Sequence, residues 1–583
     1  MSSFRYIFPL LTLLATAAAD AQYNQSIAVD GTYVPEIIPA ERLGLYPQAV
    51  RFPMETTPLR YSLRGVPAQF TPQAQPLPAS GWNDTRLFSR YPGYLDLGLG
   101  SWLNTTLSAG YRFIDTPATE AGVFLQHNST SLWHPRLAMS CRDRRAWRYD
   151  ETIGVFASHD FGNAGRLGAS LNYHLGNFNY YSWIPSGNTA ENRASDPSQT
   201  LNDAALRITW DSPHDRLAWS AAAGVRYFGF RSLYLYTPEG DAPANVTGGR
   251  ETHARLDGNI GYDIDGSSRI GADLEANVLT YSSVKDEPQS FLKAPATYGA
   301  VSLTPAYTYS NNGFSLRAGT RLDLTMNARD ISGERSRTFR AAPHLKIDYS
   351  KGAVALFLHA TGGTRLHTLA GEYSADYYTM PGLLSTAPVY TPIDARAGIE
   401  AGPFAGFSAA IEGAYAVNLN LYAGGLYAAW LNEGAPLPGR TYDLRGFQAL
   451  LRLRYDAGRM FRIEAEGTVS PGSGTKGYFN GYDRARHTAR VSAETNPWGR
   501  LRLRLEYDFR GHRDIPFYPA DGTELLTERL HNLSALNFGV FYGFTESLGM
   551  WGRADNLLNR HDAVFPGVPT QGIALSAGIS WLF

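Results

Sequence analysis

Residues 499 to 511 read "GRLRLRLEYDFRG", in which Arg500, Arg502, Arg504, Glu506, Asp508 and Arg510 alternate with Leu501, Leu503, Leu505, Tyr507 and Phe509. Period two is the repeat of a β-strand, so one face carries a row of charges and the other an unbroken apolar row. A dry core cannot take six charges, and each one facing lipid near the bilayer midplane would cost roughly 2 to 4 kcal/mol. Two settings remain. One is the solvated face of a soluble antiparallel sheet, the other a transmembrane barrel whose outside meets lipid and whose lumen is wet.

Three further features favour the barrel. "MSSFRYIFPLLTLLATAAADAQ" places Arg5 before an apolar run and ends in Ala19-Asp20-Ala21, the order of a secretory signal peptide with an A-x-A cleavage site, so residues 1–21 are expected to be a leader. No later stretch has the roughly 20 apolar residues of a helical span, so membrane residence of the mature chain must use strands. From about Asn104 onward, alternating segments are joined by short turn-forming clusters, read at 128–131, 162–165, 212–215, 265–268, 310–313, 350–352, 403–406, 456–459, 496–499 and 544–547, with longer polar connections between them. Short turns at one rim and long loops at the other are the asymmetry of outer-membrane barrels. Ten hairpins plus one strand at each end predict an all-β fold, an antiparallel barrel of about 22 strands over 104–583. "YPGYLDLGLGSWLN" (91–104) also alternates but would make the count odd, and is left outside the wall.

The charges on neighbouring predicted strands should meet across the wall: Arg452 and Arg454 on one, Arg462, Glu464 and Glu466 on the next, Arg490 and Glu494 on the one after, then Arg500, Arg502, Arg504, Glu506 and Asp508. These are the candidate lumen-lining residues. A formal net charge of -1, from Lys+Arg 52 against Asp+Glu 53, gives no field that would draw nucleic acid. One cysteine, Cys141, excludes an intramolecular disulfide framework, and the 13 histidines show no HExxH spacing. No cofactor or metal is expected. His127 and Ser129 share a strand face, a His-x-Ser pattern that occurs in outer-membrane lipid hydrolases. Their position at the turn read over 128–131 argues for turn chemistry instead, and the chain is expected not to be an enzyme.

The C-terminal stretch "GRADNLLNRHDAVFPGVPTQGIALSAGISWLF" resembles the end of TonB-dependent outer-membrane receptors, through Asp555-Asn556-Leu557-Leu558-Asn559, Pro566-Gly567 and the terminal Phe583. The resemblance implies a 22-stranded barrel in the bacterial outer membrane. It also implies that the last strand, with Trp581 and Phe583, is an assembly signal read by the barrel-assembly machinery. The chain departs from the family in having only about 80 residues, 22–103, where the plug domain belongs. That region is rich in Pro, which central sheet excludes, and is expected to form a periplasmic or lumen-filling segment. Expected partners are outer-membrane lipid, the assembly machinery and a periplasmic or cell-surface protein. Two functions fit: a transport or channel component for a polar solute, or a non-transporting scaffold of an envelope complex.

Overall fold

A computed structural model describes residues 91–133, 145–179, 198–212, 216–234, 245–282, 297–329, 334–375, 387–423, 440–458, 460–470, 485–517, 526–565 and 568–583. The leader, residues 22–90 and Cys141 lie outside the described residues, as do 213–215 of the 212–215 turn and Arg459 of the 456–459 turn.

The wall runs through β1 Gly93–Gly100, β2 Thr105–Asp115, β3 Thr119–Trp133, β4 Arg145–Asp160, β5 Arg166–Asn179, β6 Ser198–Ser212 and β7 Leu217–Phe230. It continues with β8 Arg250–Asp263, β9 Ser268–Ser282, β10 Tyr298–Asn311, β11 Phe314–Met326, β12 Phe339–Lys351, β13 Val354–Arg365, β14 Val389–Phe404 and β15 Phe407–Ala423. The last seven are β16 Arg440–Asp456, β17 Phe461–Val469, β18 Ala485–Thr495, β19 Leu501–Phe517, β20 Leu533–Gly543, β21 Leu548–Asp555 and β22 Ala574–Leu582. Every neighbouring pair is antiparallel. Leu526–Leu530 extends the β20 position along the far end of β19, so the 23 sheet segments occupy 22 wall positions. β1 pairs with β22 from Tyr94↔Leu582 to Gly100↔Ser576, which closes the cylinder and leaves no sheet edge.

The fold class and strand number agree with the sequence reading, but the start of the wall does not. The barrel begins at Gly93 rather than at Asn104, because the segment set aside on parity is β1. Asn128–Ser131, read as a turn, lies inside β3, and the turn is Thr116–Pro117–Ala118, closed by Thr116 N–H to the Thr119 carbonyl at 2.9 Å. The two misreadings offset each other, adding one strand and removing another. Among the described residues, the other short turns stand where expected. Between β10 and β11, Asn312 (φ 52°) and Gly313 (φ 82°) occupy the left-handed region that a two-residue hairpin turn requires.

Each strand sorts its side chains by face. On β9, Ile270, Leu274 and Val278 are 56%, 40% and 50% exposed and point outward, with Asp273, Glu275 and Asn277 on the opposite face. β22 presents Leu575, Ile579 and Trp581 outward in the same way. Outward apolar rows free of packing partners are stable only against hydrocarbon. The wall is therefore that of an outer-membrane barrel.

Candidate functional site: the inner face of the barrel

Across β16 to β19, register arranges charge in rows around the wall. Two rows run Arg452↔Glu466↔Arg490↔Asp508 and Asp456↔Arg462↔Glu494↔Arg504, with Arg454↔Glu464↔Ser492↔Glu506 between them. Signs alternate along both rows, so each cation has an anion as its lateral neighbour. The Arg452 guanidinium donates from Nε and Nη2 to Glu466 Oε2 at 2.9 and 2.7 Å, and Arg490 Nε donates to Asp508 Oδ1 at 2.6 Å. Arg504 bonds Glu506 along its own strand at 2.7 Å, and Arg502 reaches Glu494 at 3.5 Å. Glu464 stands in register with Arg454 and Ser492.

Two details depart from the sequence reading. Arg500 precedes β19 and sits in the turn, where its carbonyl accepts the Gly543 amide at 2.9 Å. Asp456, read as a turn residue, is the hub of its corner: it accepts from Arg454 at 3.1 Å and from Arg462 at 3.0 Å. The row extends to β14 and β15, where Arg396 bonds Asp394 at 2.9 Å and faces Glu412 at 3.8 Å. Guanidinium to carboxylate pairing on a wetted wall keeps the row charged without leaving any pair to bear full desolvation.

The inner face opposite also pairs Arg226 with Asp203 at 2.6 Å and Arg255 with Asp257 at 2.7 Å, but at its long-loop end it has another character. The connection after β13 turns inward and forms a short helix, α1 Leu369–Ala375, lying against β7 and β8. Thr368 Oγ1 accepts the Gly371 amide at 2.9 Å, a side-chain cap of the first turn. The Leu369 amide donates at 2.7 Å to Glu251 Oε2, a carboxylate supplied by β8. Tyr298 Oη donates to the His367 carbonyl at 2.7 Å, and His367 Nε2 donates to the Asn420 carbonyl at 3.2 Å. Tyr373 enters a cage of Phe228, Phe230 and Phe178, with ring centroids 5.7, 6.0 and 6.3 Å away. These aromatics occupy inner-face positions where alternation alone calls for polar residues, and Phe178, Phe228 and Phe230 are almost fully buried. Alternation locates a face but carries no sign of what covers it, so the helix escaped the sequence reading.

A third inner patch lies at the closing seam. Trp551 on β21 lies flat over Gly98 of β1 and Gly578 of β22, and a Cβ at either glycine would collide with the indole. Its Nε1–H donates to the Asp96 carboxylate at 3.1 Å, and the Arg553 guanidinium stacks 4.7 Å above the ring. Trp581 and Phe583 end the chain beside this seam, on the outer face, with ring centroids 4.8 Å apart, and Phe583 exchanges backbone hydrogen bonds with Gly93 at 2.8 and 3.0 Å.

No protein-family model matches the sequence, and no curated protein matches it. Solved structures do match the fold. The ferric enterobactin receptor PfeA of Pseudomonas aeruginosa, bound to enterobactin, superposes with a TM-score of 0.64 at 12% identity, covering 84% of this chain and 81% of that one. The siderophore receptor PirA of Acinetobacter baumannii gives 0.63 at 11% identity, over 84% and 80%. The ferripyoverdine receptor of Pseudomonas aeruginosa gives 0.60 at 10% identity, over 85% and 72%. The barrel is thus similar in fold to TonB-dependent siderophore receptors of the outer membrane.

Proposed function

We propose that the chain is a transport or channel component of the bacterial outer membrane. It passes a polar solute along the charge-paired sector of its lumen, between that sector and the surface formed by α1. The observation that carries this reading is the contrast inside one barrel. One sector keeps ionised pairs wet and accessible, as with Arg490, 61% exposed beside Asp508. The other is covered by a helix that the wall itself caps and cages. A lumen of 22 strands is wide, and barrels of that size are normally plugged. In this reading residues 22–90, which precede β1, supply the further occlusion, Arg452, Arg490 and Arg504 with their acidic partners form the solute-facing wall, with Arg502 buried behind them, and Trp581 and Phe583 are read by the barrel-assembly machinery. The substrates in the names of the structural neighbours belong to those proteins, and no siderophore is assigned.

Single-channel conductance in planar bilayers tests the reading. Deletion of residues 22–90 should convert a small or closed conductance into a large open one. An unchanged small conductance would remove the occluding role. Recovery of a stoichiometric partner from solubilised outer membranes, with no conductance from either form, would favour the scaffold function over transport.

A further inference from the structure

The correction at residues 128–131 moves a polar cluster from a periplasmic turn to the outside of the wall near the opposite rim. Thr105 on β2, His127 and Ser129 on β3 and Glu151 on β4 share the outward face with Leu125, Tyr149 and Ile153, all exposed. Thr105 is the register partner of Ser129, and His127 that of Glu151. The turns Thr116–Ala118 and 161–165 lie at the other ends of these strands, so the cluster stands at the long-loop, external rim, just above the apolar belt. Trp147 and Tyr149, ring centroids 5.6 Å apart, flank it as interfacial aromatics do.

The contacts form a relay. His127 Nε2 lies 2.9 Å from Thr105 Oγ1, and His127 Nδ1 lies 3.6 Å from Glu151 Oε1. The Ser129 hydroxyl is bonded to that of Thr105 and donates to the Leu103 carbonyl at 3.2 Å. A hydroxyl against an imidazole, with a carboxylate near enough to the second ring nitrogen to pair with the charged ring, is an arrangement that activates an alcohol for acyl transfer. At this depth, the carbonyl groups within reach are the ester linkages of membrane lipid.

We propose that this outward cluster is an acyl-ester hydrolysis site, separate from the lumen. Thr105 Oγ1 attacks the ester carbonyl as His127 Nε2 takes its proton, and the Ser129 hydroxyl rotates to donate to the developing oxyanion. His127 returns the proton to the departing alcohol as the old ester bond breaks, leaving Thr105 acylated. Water, deprotonated by His127, then attacks the acyl-threonine and releases the fatty acid with Thr105 restored. Glu151, in ion-pair range of Nδ1, balances the imidazolium as it forms. A similar set on the inner wall, with His174 ring nitrogens 3.0 Å from Thr152 and 3.5 Å from Asp150, faces the lumen rather than lipid and serves as an internal control.

The full-length protein in detergent micelles, treated with a long-chain alkyl fluorophosphonate and mapped by mass spectrometry, should carry the label on Thr105. Fatty-acid release from phospholipid mixed micelles should fall at least about 100-fold in His127→Ala and Thr105→Ala, and Thr105→Ser should retain it. Each variant is compared only when it keeps the heat-modifiable gel mobility of a folded barrel, which a local change on the outer face should leave intact. Absence of label, label on Ser129 or Thr152 instead, or release unaffected by His127→Ala would overturn the assignment.

Discussion

Two patches of the inner wall solve one problem in opposite ways. β16 to β19 meet the lumen with arginine and carboxylate in alternating register, whereas β5, β7, β9 and β10 meet it with Phe178, Phe228, Phe230, Leu279 and Tyr298. Both faces point inward on equivalent strands. The difference is cover: where α1 lies over the wall the strands supply an aromatic socket, and away from the helix they supply paired ions. The division runs along the strands rather than between them: β7, which supplies Phe228 and Phe230, also pairs Arg226 with Asp203, and β8 pairs Arg255 with Asp257, so inner-face composition reports what covers each level of the wall.

The largest effect expected from breaking this contrast is in the socket. Phe228→Ala removes a fully buried ring from the Tyr373 cage, at a cost of about 3 to 5 kcal/mol if the docked state is kept. The barrel can shed that cost by releasing α1. Limited proteolysis should then cut the β13 to β14 connection rapidly while the wall stays intact, and unaltered cleavage would mean that the cage does not hold the helix. A smaller effect is expected in the charged sector. The Arg452–Glu466 pair is about a third exposed, so Arg452→Ala should lower stability by no more than about 1 kcal/mol. The same change removes one positive charge and leaves Glu466 with Arg490 as its remaining cationic neighbour, and the reversal potential in a salt gradient should move toward cation preference.

The smallest effect lies at neither surface, in the β8 to β9 turn. There the amides of Ser267 and Ser268 donate to Asp265 at 3.0 and 2.7 Å and hold its carboxyl below the usual carboxylate range. A depressed folded-state value means that this stabilisation is complete above the unfolded carboxylate value and is lost as pH falls through the folded one. Asp265→Asn should flatten that slight acid dependence of unfolding and leave conductance and α1 protection unchanged.

The charged sector was largely legible from sequence because register follows from alternation. Once Arg452, Glu466, Arg490 and Asp508 are placed on inner faces of successive strands, hairpin geometry brings them together. The turn error has an equally local cause. Asn128, Ser129, Thr130 and Ser131 have the composition of a turn, whereas Thr116–Pro117–Ala118 contains a single strong turn former. Composition could not reveal that those four residues continue a strand through the headgroup layer, where small polar side chains are equally at home. α1 was illegible for a different reason: its contacts with Glu251, Phe228 and Phe230 are long-range, and the seven residues "LAGEYSA" carry no local mark of the socket they enter.

The indole over Gly98 and Gly578 bears on how such a cylinder could open. A ring of strands is weakest where the first joins the last, and that junction is the natural place for a sideways exit into the bilayer. Here one bulky plate spans both joined strands from a third and is pinned to a carboxylate of the first. Parting the join would strip three strands of a shared fastener at once, so the seam is built to stay shut, and a solute carried as proposed would have to travel along the axis, end to end.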